Sequence, residues 1–145
     1  MLSASADPRL KYAKGITRDT LKARDDRHEA QVKRINRAKV KLRDGDCCLS
    51  SPAAQELFGR CMGTDEWNHL EKRSKTRNQS PEERHATGIT CMACSRHHKL
   101  IDDGDIKHRF LTKAKADGPM VWQWKGKRAR LDEREHPRTT SRSGR

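Results

Sequence analysis

Long apolar runs are missing from this chain: no stretch approaches the ~18 residues of a membrane-spanning helix. The first residues, Met1-Leu2-Ser3-Ala4-Ser5-Ala6-Asp7-Pro8, lack the charged-then-apolar layout of a secretory leader, so the expected location is the cytoplasm. Apolar residues make up only 32% against 37% charged, which limits the core that can be buried and makes a structural metal useful. An even cysteine set is missing too. The five cysteines lie among histidines, and reduced, metal-binding thiols fit that placement better than disulfides. No internal repeat is visible, and glycine and proline are both absent from Arg18 to Arg43.

What is abundant is positive charge. A formal charge of +13 and a pI near 10.0 across 145 residues point to one small domain with a polyanionic partner. DNA is the first candidate and no membrane is expected. The 18–43 stretch holds ten Lys/Arg against four Asp/Glu. It reads as a basic helical arm over 17–43, with Thr17 as N-cap, Gly45 as stop and a thin apolar stripe of Leu21, Val32, Ile35 and Leu42. Docked by its C-terminal half, that arm would lay Lys33, Arg34, Arg37 and Lys41 on phosphates. Residues 1–16 have no period and read as a loose N-terminus.

After the turn Asp44-Gly45-Asp46, Ser51-Pro52 opens a short helix carrying Leu57 and Phe58. Residues 66–70 read as a strand. Residues 72–90 form a long loop of the kind that is usually functional. A helix is expected from Cys94 to Asp103, ending at Gly104. Residues 106–111 and 120–124 read as strands joined through Asp117-Gly118-Pro119, with Met120, Trp122 and Trp124 alternating. Residues 126–145 carry seven Lys/Arg against three Asp/Glu and no apolar period, and read as a disordered basic tail.

Three sets of residues carry chemistry. His98 and Asp102, four apart, share a helix face and could bind one divalent cation with positions left open for a phosphate. His69, on a strand facing that helix, could take a proton from water. Arg73, Lys75 and Arg77 in the long loop could bind flanking phosphates. Cys91-x2-Cys94 is a zinc half-site, and Cys61 with Cys48 (or Cys47) completes a four-sulfur site. A second register, in which Cys94-x2-His97 supplies the half-site, is also open.

From Arg43 to about Gly104 the chain resembles the HNH endonuclease family, the ββα-metal or His-Me finger fold, and in particular its small, often phage-encoded members. The resemblance rests on Arg43-Asp44-Gly45-Asp46-Cys47, on Trp67-Asn68-His69-Leu70 followed by Arg73-Ser74, and on the run Cys94-Ser95-Arg96-His97-His98-Lys99-Leu100-Ile101-Asp102. It implies an α+β fold: a small zinc-stabilised ββα-metal domain over 44–125, with the basic helix before it and a hairpin and tail after it. It also implies His69 as general base, and a catalytic Mg²⁺, Mn²⁺ or Ni²⁺ held by His98, Asp102 and Asn68, beside a structural Zn²⁺. Phage packaging proteins such as terminase are further partners it suggests, with the host cytoplasm as location. The family's middle Asn falls here at Ile89. Thr87 and Thr90 are the nearest polar residues, with Asn78 and His85 further off. The alternative is a zinc-stabilised nucleic-acid-binding or packaging accessory module without catalysis.

Overall fold

Helix α1 spans Arg18–Asp44, the longest element of a computed structural model that describes residues 18–138. The expected cap Thr17 and the N-terminus 1–16 lie outside the described residues. The helix runs because nothing interrupts it, and it stops at Gly45, whose φ of 72° an L side chain rarely adopts. Of its apolar residues Val40 is fully buried, whereas Ile35 and Leu42 are exposed, so the expected stripe through them is not the docking face. Polar contacts do much of the docking. Asn36 donates to the His85 carbonyl at 2.9 Å, and Arg43 donates to the carbonyls of Thr87 and Thr90. The helix is thus packed along the domain and not held out from it as an arm.

Ser51 caps helix α2 (Pro52–Phe58) by accepting from the Ala54 amide, with Pro52 in the first turn where its missing N–H costs nothing. Strand β1 (Asp65–His69) pairs antiparallel with β2 (Thr90–Cys94), Asp65 opposite Cys94 and His69 opposite Thr90. All five residues of β2 are buried, which erases the alternation that marks a half-exposed strand. Between the paired strands the long loop winds through two single turns, α3 (Arg73–Thr76) and α4 (Pro81–Arg84), and a 3₁₀ turn. A reciprocal Ser80–Glu83 capping box starts α4. Helix α5 (Ser95–Asp102) follows β2 with no intervening loop.

A second sheet of β3 (Ile106–Phe110), β4 (Met120–Trp124) and β5 (Arg130–Asp132) is antiparallel throughout. Strand β5 corrects the reading of a disordered tail over 126–138; residues 139–145 of that tail lie outside the described residues. Leu131 is buried, and Glu133 accepts from the Met120 amide and the Trp122 indole. The core gathers Leu49, Phe58, Ile106, Met120, Trp122 and Leu131 with four of the cysteines. The architecture is a mixed α+β domain of helices and two small sheets. Among the described residues no helix is long and apolar enough to cross a membrane.

One buried carboxylate ties these parts together. Asp44, fully buried at the end of α1, accepts from Arg43, from Arg138 and from the Met92 amide of β2. Three donors of this kind repay the cost of burying a charge.

Candidate metal centre and cleft

Helix α5 begins with Cys94 as N-cap, its sulfur accepting from the His97 amide three residues on. This cap turns the Cys94 thiol toward His97. The His97 Nδ1 then lies 3.2 Å from the Cys94 sulfur, 3.4 Å from that of Cys47 and 3.8 Å from that of Cys61. The four donor atoms all lie within 4.8 Å of one another. Three sulfurs and one imidazole nitrogen at such separations are the donor set of a closed, tetrahedral structural zinc site. The cluster could hold a metal such as zinc.

Its surroundings fit the same use. The His97 Nε2–H donates to the Gly59 carbonyl at 3.0 Å, which leaves Nδ1 to the cluster, and the Leu49 amide donates to the Cys47 sulfur. The protons are unevenly shared. The hydrogen bond from Cys47, helped by His97 and opposed by burial, holds the Cys94 thiol at about 3. Cys47, bonded to Cys61 and Cys94, is pushed well up and keeps its proton. Burial works against charge on His97, but the Cys94 sulfur outweighs it, and His97 is raised above the usual imidazole value.

Cys48 and Cys91, expected in the zinc set, stand outside this cluster, and Cys47 and His97 take their places. The reason is the pleat. Cys91 and Cys94 are three apart on a strand, an odd separation that sends side chains to opposite faces, so Cys91-x2-Cys94 forms no knuckle. Cys91 instead meets Cys48, and that hydrogen bond together with burial pushes the Cys48 thiol up. All five cysteines are free thiols. The open register Cys94-x2-His97 was the signal of the observed set.

His98, the next residue on α5, faces the other way. Its Nδ1 lies 2.7 Å from Glu66 Oε1 on β1, and its Nε2 lies 3.1 Å from Asp102 Oδ2. Asn68, His69, His98 and Asp102 line one cleft of about 850 Å³. Asn68 is buried, and its Nδ2 has no hydrogen-bond partner among the described residues. Glu66 was not anticipated from sequence. It shares a strand face with Asn68, two residues away, and a strand reading over 66–70 contains that signal.

His69 is on the opposite face of β1 with Trp67, ring centroids 4.6 Å apart. Its Nε2 lies 2.8 Å from His85 Nδ1, and His85 Nε2 lies 2.9 Å from Glu29 Oε2 on α1. A second cleft of about 470 Å³, lined by Glu29, Lys33, His69, Arg77 and Arg84 among others, opens there, so His69 stands on the wall between two clefts. The hydrogen bond from His85 is the largest influence holding the Glu29 carboxyl below its usual value.

The basic residues lie as follows. Lys33, Arg34 and Arg37 are exposed on α1, and Lys75 and Arg77 are exposed in the loop that also carries Arg73. Lys41 pairs with Asp65 at 2.7 Å and is committed to the fold. Comparison with protein-family models, with curated proteins and with solved structures finds no match to this chain.

Proposed function

We propose that this protein is a metal-dependent DNA endonuclease of the HNH type, a zinc-stabilised ββα-metal domain that hydrolyses phosphodiester bonds. The observation that carries the reading is one cleft lined by Asn68 and His69 at the end of β1 and by His98 and Asp102 on the helix that continues β2. His98 Nε2 and Asp102 Oδ2 lie 3.1 Å apart, a separation that suits two ligands of a single divalent ion. Glu66 accepts from the His98 Nδ1–H, which fixes the tautomer that leaves Nε2 for that ion. Asn68 lines the same cleft, where its side-chain Oδ1 would be the third ligand and its unpartnered Nδ2 a donor to a phosphate oxygen.

A divalent cation such as Mg²⁺, Mn²⁺ or Ni²⁺ supplies stabilisation of the charge that develops on the phosphate and the leaving oxygen. His69 takes a proton from the attacking water. Lys75 and Arg77, with Arg73, and the exposed α1 residues Lys33, Arg34 and Arg37 hold flanking phosphates. The motif holds nothing that reads bases, so cleavage should vary little with sequence. The sulfur-rich cluster serves the fold and takes no part in the chemistry.

The test is plasmid nicking by metal-stripped protein after Mg²⁺ or Mn²⁺ is added back, with His69→Ala beside it. Nicking that requires the added ion and is lost in the variant is expected. Nicking by His69→Ala at the parent rate ends the reading. The alternative, a zinc-stabilised binding or packaging module without catalysis, draws on one observation: Nε2 of His69 is turned to His85 and not to α5. DNA binding with no nicking under any metal favours it.

A further inference from the structure

Glu29, His85 and His69 form a continuous chain of hydrogen bonds from α1, through the end of the long loop, to the last residue of β1. The two links are 2.9 Å and 2.8 Å, and they join residues 56 and 16 positions apart. Each member is held by something else. Arg84 donates to the other Glu29 oxygen at 2.9 Å, Asn36 donates to the His85 carbonyl, and Trp67 packs at a tilt against both imidazoles. His85 is buried, while His69 is exposed at the mouth of both clefts.

We infer that His85, supported by Glu29, is a positioning residue that fixes the tautomer and aim of the His69 imidazole; this rests on the nuclease reading of the same site. With both imidazoles neutral, the chain has one consistent proton arrangement. The Glu29 carboxylate only accepts, so His85 Nε2 carries the hydrogen. Neutral His85 then presents a bare Nδ1, and His69 Nε2 must donate to it. Neutral His69 therefore holds its basic lone pair on Nδ1. The charged groups around the pair are Glu29 and Lys33 from α1, Arg84 from α4, and Glu71 and Arg77 from the loop. The basic helix thus supplies part of the wall of the reaction site as well as a phosphate-binding face.

The experiment uses the full, zinc-loaded chain labelled with ¹⁵N-histidine. Long-range ¹H–¹⁵N spectra of the imidazoles report the tautomer without any need for activity. In the parent, His69 is expected as the Nε2–H form. His85→Ala is expected to give a mixture, and His85→Asn, whose amide oxygen can accept from Nε2–H, to restore it. In nicking assays His85→Ala should lower kcat by about 10²-fold, as misplacement of a reacting group does, with DNA affinity unchanged, and His85→Asn should recover most of it. Zinc content and the thermal melt check that each variant folds; should His85→Ala fail there, Glu29→Ala and His85→Asn carry the comparison. A parent-like His69 tautomer and kcat in His85→Ala overturn the inference while leaving the nuclease reading in place. A His69→Ala protein that nicks at the parent rate overturns the nuclease reading, and the spectra then still decide whether His85 sets the His69 tautomer.

Discussion

His97 and His98 are neighbours on one helix and serve two unlike sites. His97 is fully buried, its Nε2 tied to a backbone carbonyl and its Nδ1 among three sulfurs. His98 is partly exposed between two carboxylates, on a cleft open to solvent. The helical step of roughly 100° between adjacent residues separates them. The inner site offers three sulfurs and one imidazole, a full tetrahedral donor set; the outer one offers an imidazole between two carboxylates on a cleft. On the proposed reading, stability and chemistry are divided between two faces of these eight residues, and each face should be perturbed without the other.

The largest expected effect breaks the inner face. Purified protein should carry about one zinc per chain by metal analysis. Cys94→Ser or a strong chelator should abolish cooperative thermal unfolding, since structural zinc contributes on the order of 10 kcal/mol in small domains and little apolar surface is available to compensate. Cys48→Ser and Cys91→Ser should keep the zinc. A zinc-free protein that melts cooperatively would refute the division at its root. Next comes the outer face. His69→Ala should lower the nicking rate ~10²–10⁴-fold with zinc content and melting unchanged, because only proton transfer is removed. Glu66→Gln sharpens the comparison by leaving the cation ligands in place and loosening the ring. It should weaken activation by added Mg²⁺ or Mn²⁺ by about 10–100-fold, read from the metal titration of nicking. The smallest effect lies on the basic face of α1. Alanine at Lys33, Arg34 and Arg37 together should weaken DNA binding about equally across sequences. The slope of log affinity against log salt should become shallower by about 0.9 for each phosphate that is no longer neutralised. An unchanged slope would remove α1 from the interface.

Much of this was legible in the chain, and the misses have physical causes. The long helix showed itself by the absence of glycine and proline up to Gly45, and α2 by Ser51-Pro52. Strand β2 did not, because a wholly buried Thr-Cys-Met-Ala-Cys has no alternation to read. The zinc donors turned on whether residues 91–94 form a knuckle or an extended strand, which cysteine spacing alone does not decide. Glu29 gave no local sign and His85 stood only as a more distant polar residue before Ile89, since their relation to His69 exists only once α1 lies across the loop. The segment after Trp124 looked unstructured because its charges outnumber its buried apolar residue, Leu131. Those charges find partners far away: Glu133 on Trp122, Arg138 on Asp44.

That last pair has a consequence for the nascent chain. Asp44 emerges from the ribosome with the long helix, and Arg138 follows ninety-four residues later. At typical elongation rates of ~5–20 residues per second, the carboxylate waits roughly 5–20 seconds for its second guanidinium, with Arg43 alone beside it. The helix can form early, but the environment that lets its final residue go dry is completed only once Arg138 has been made.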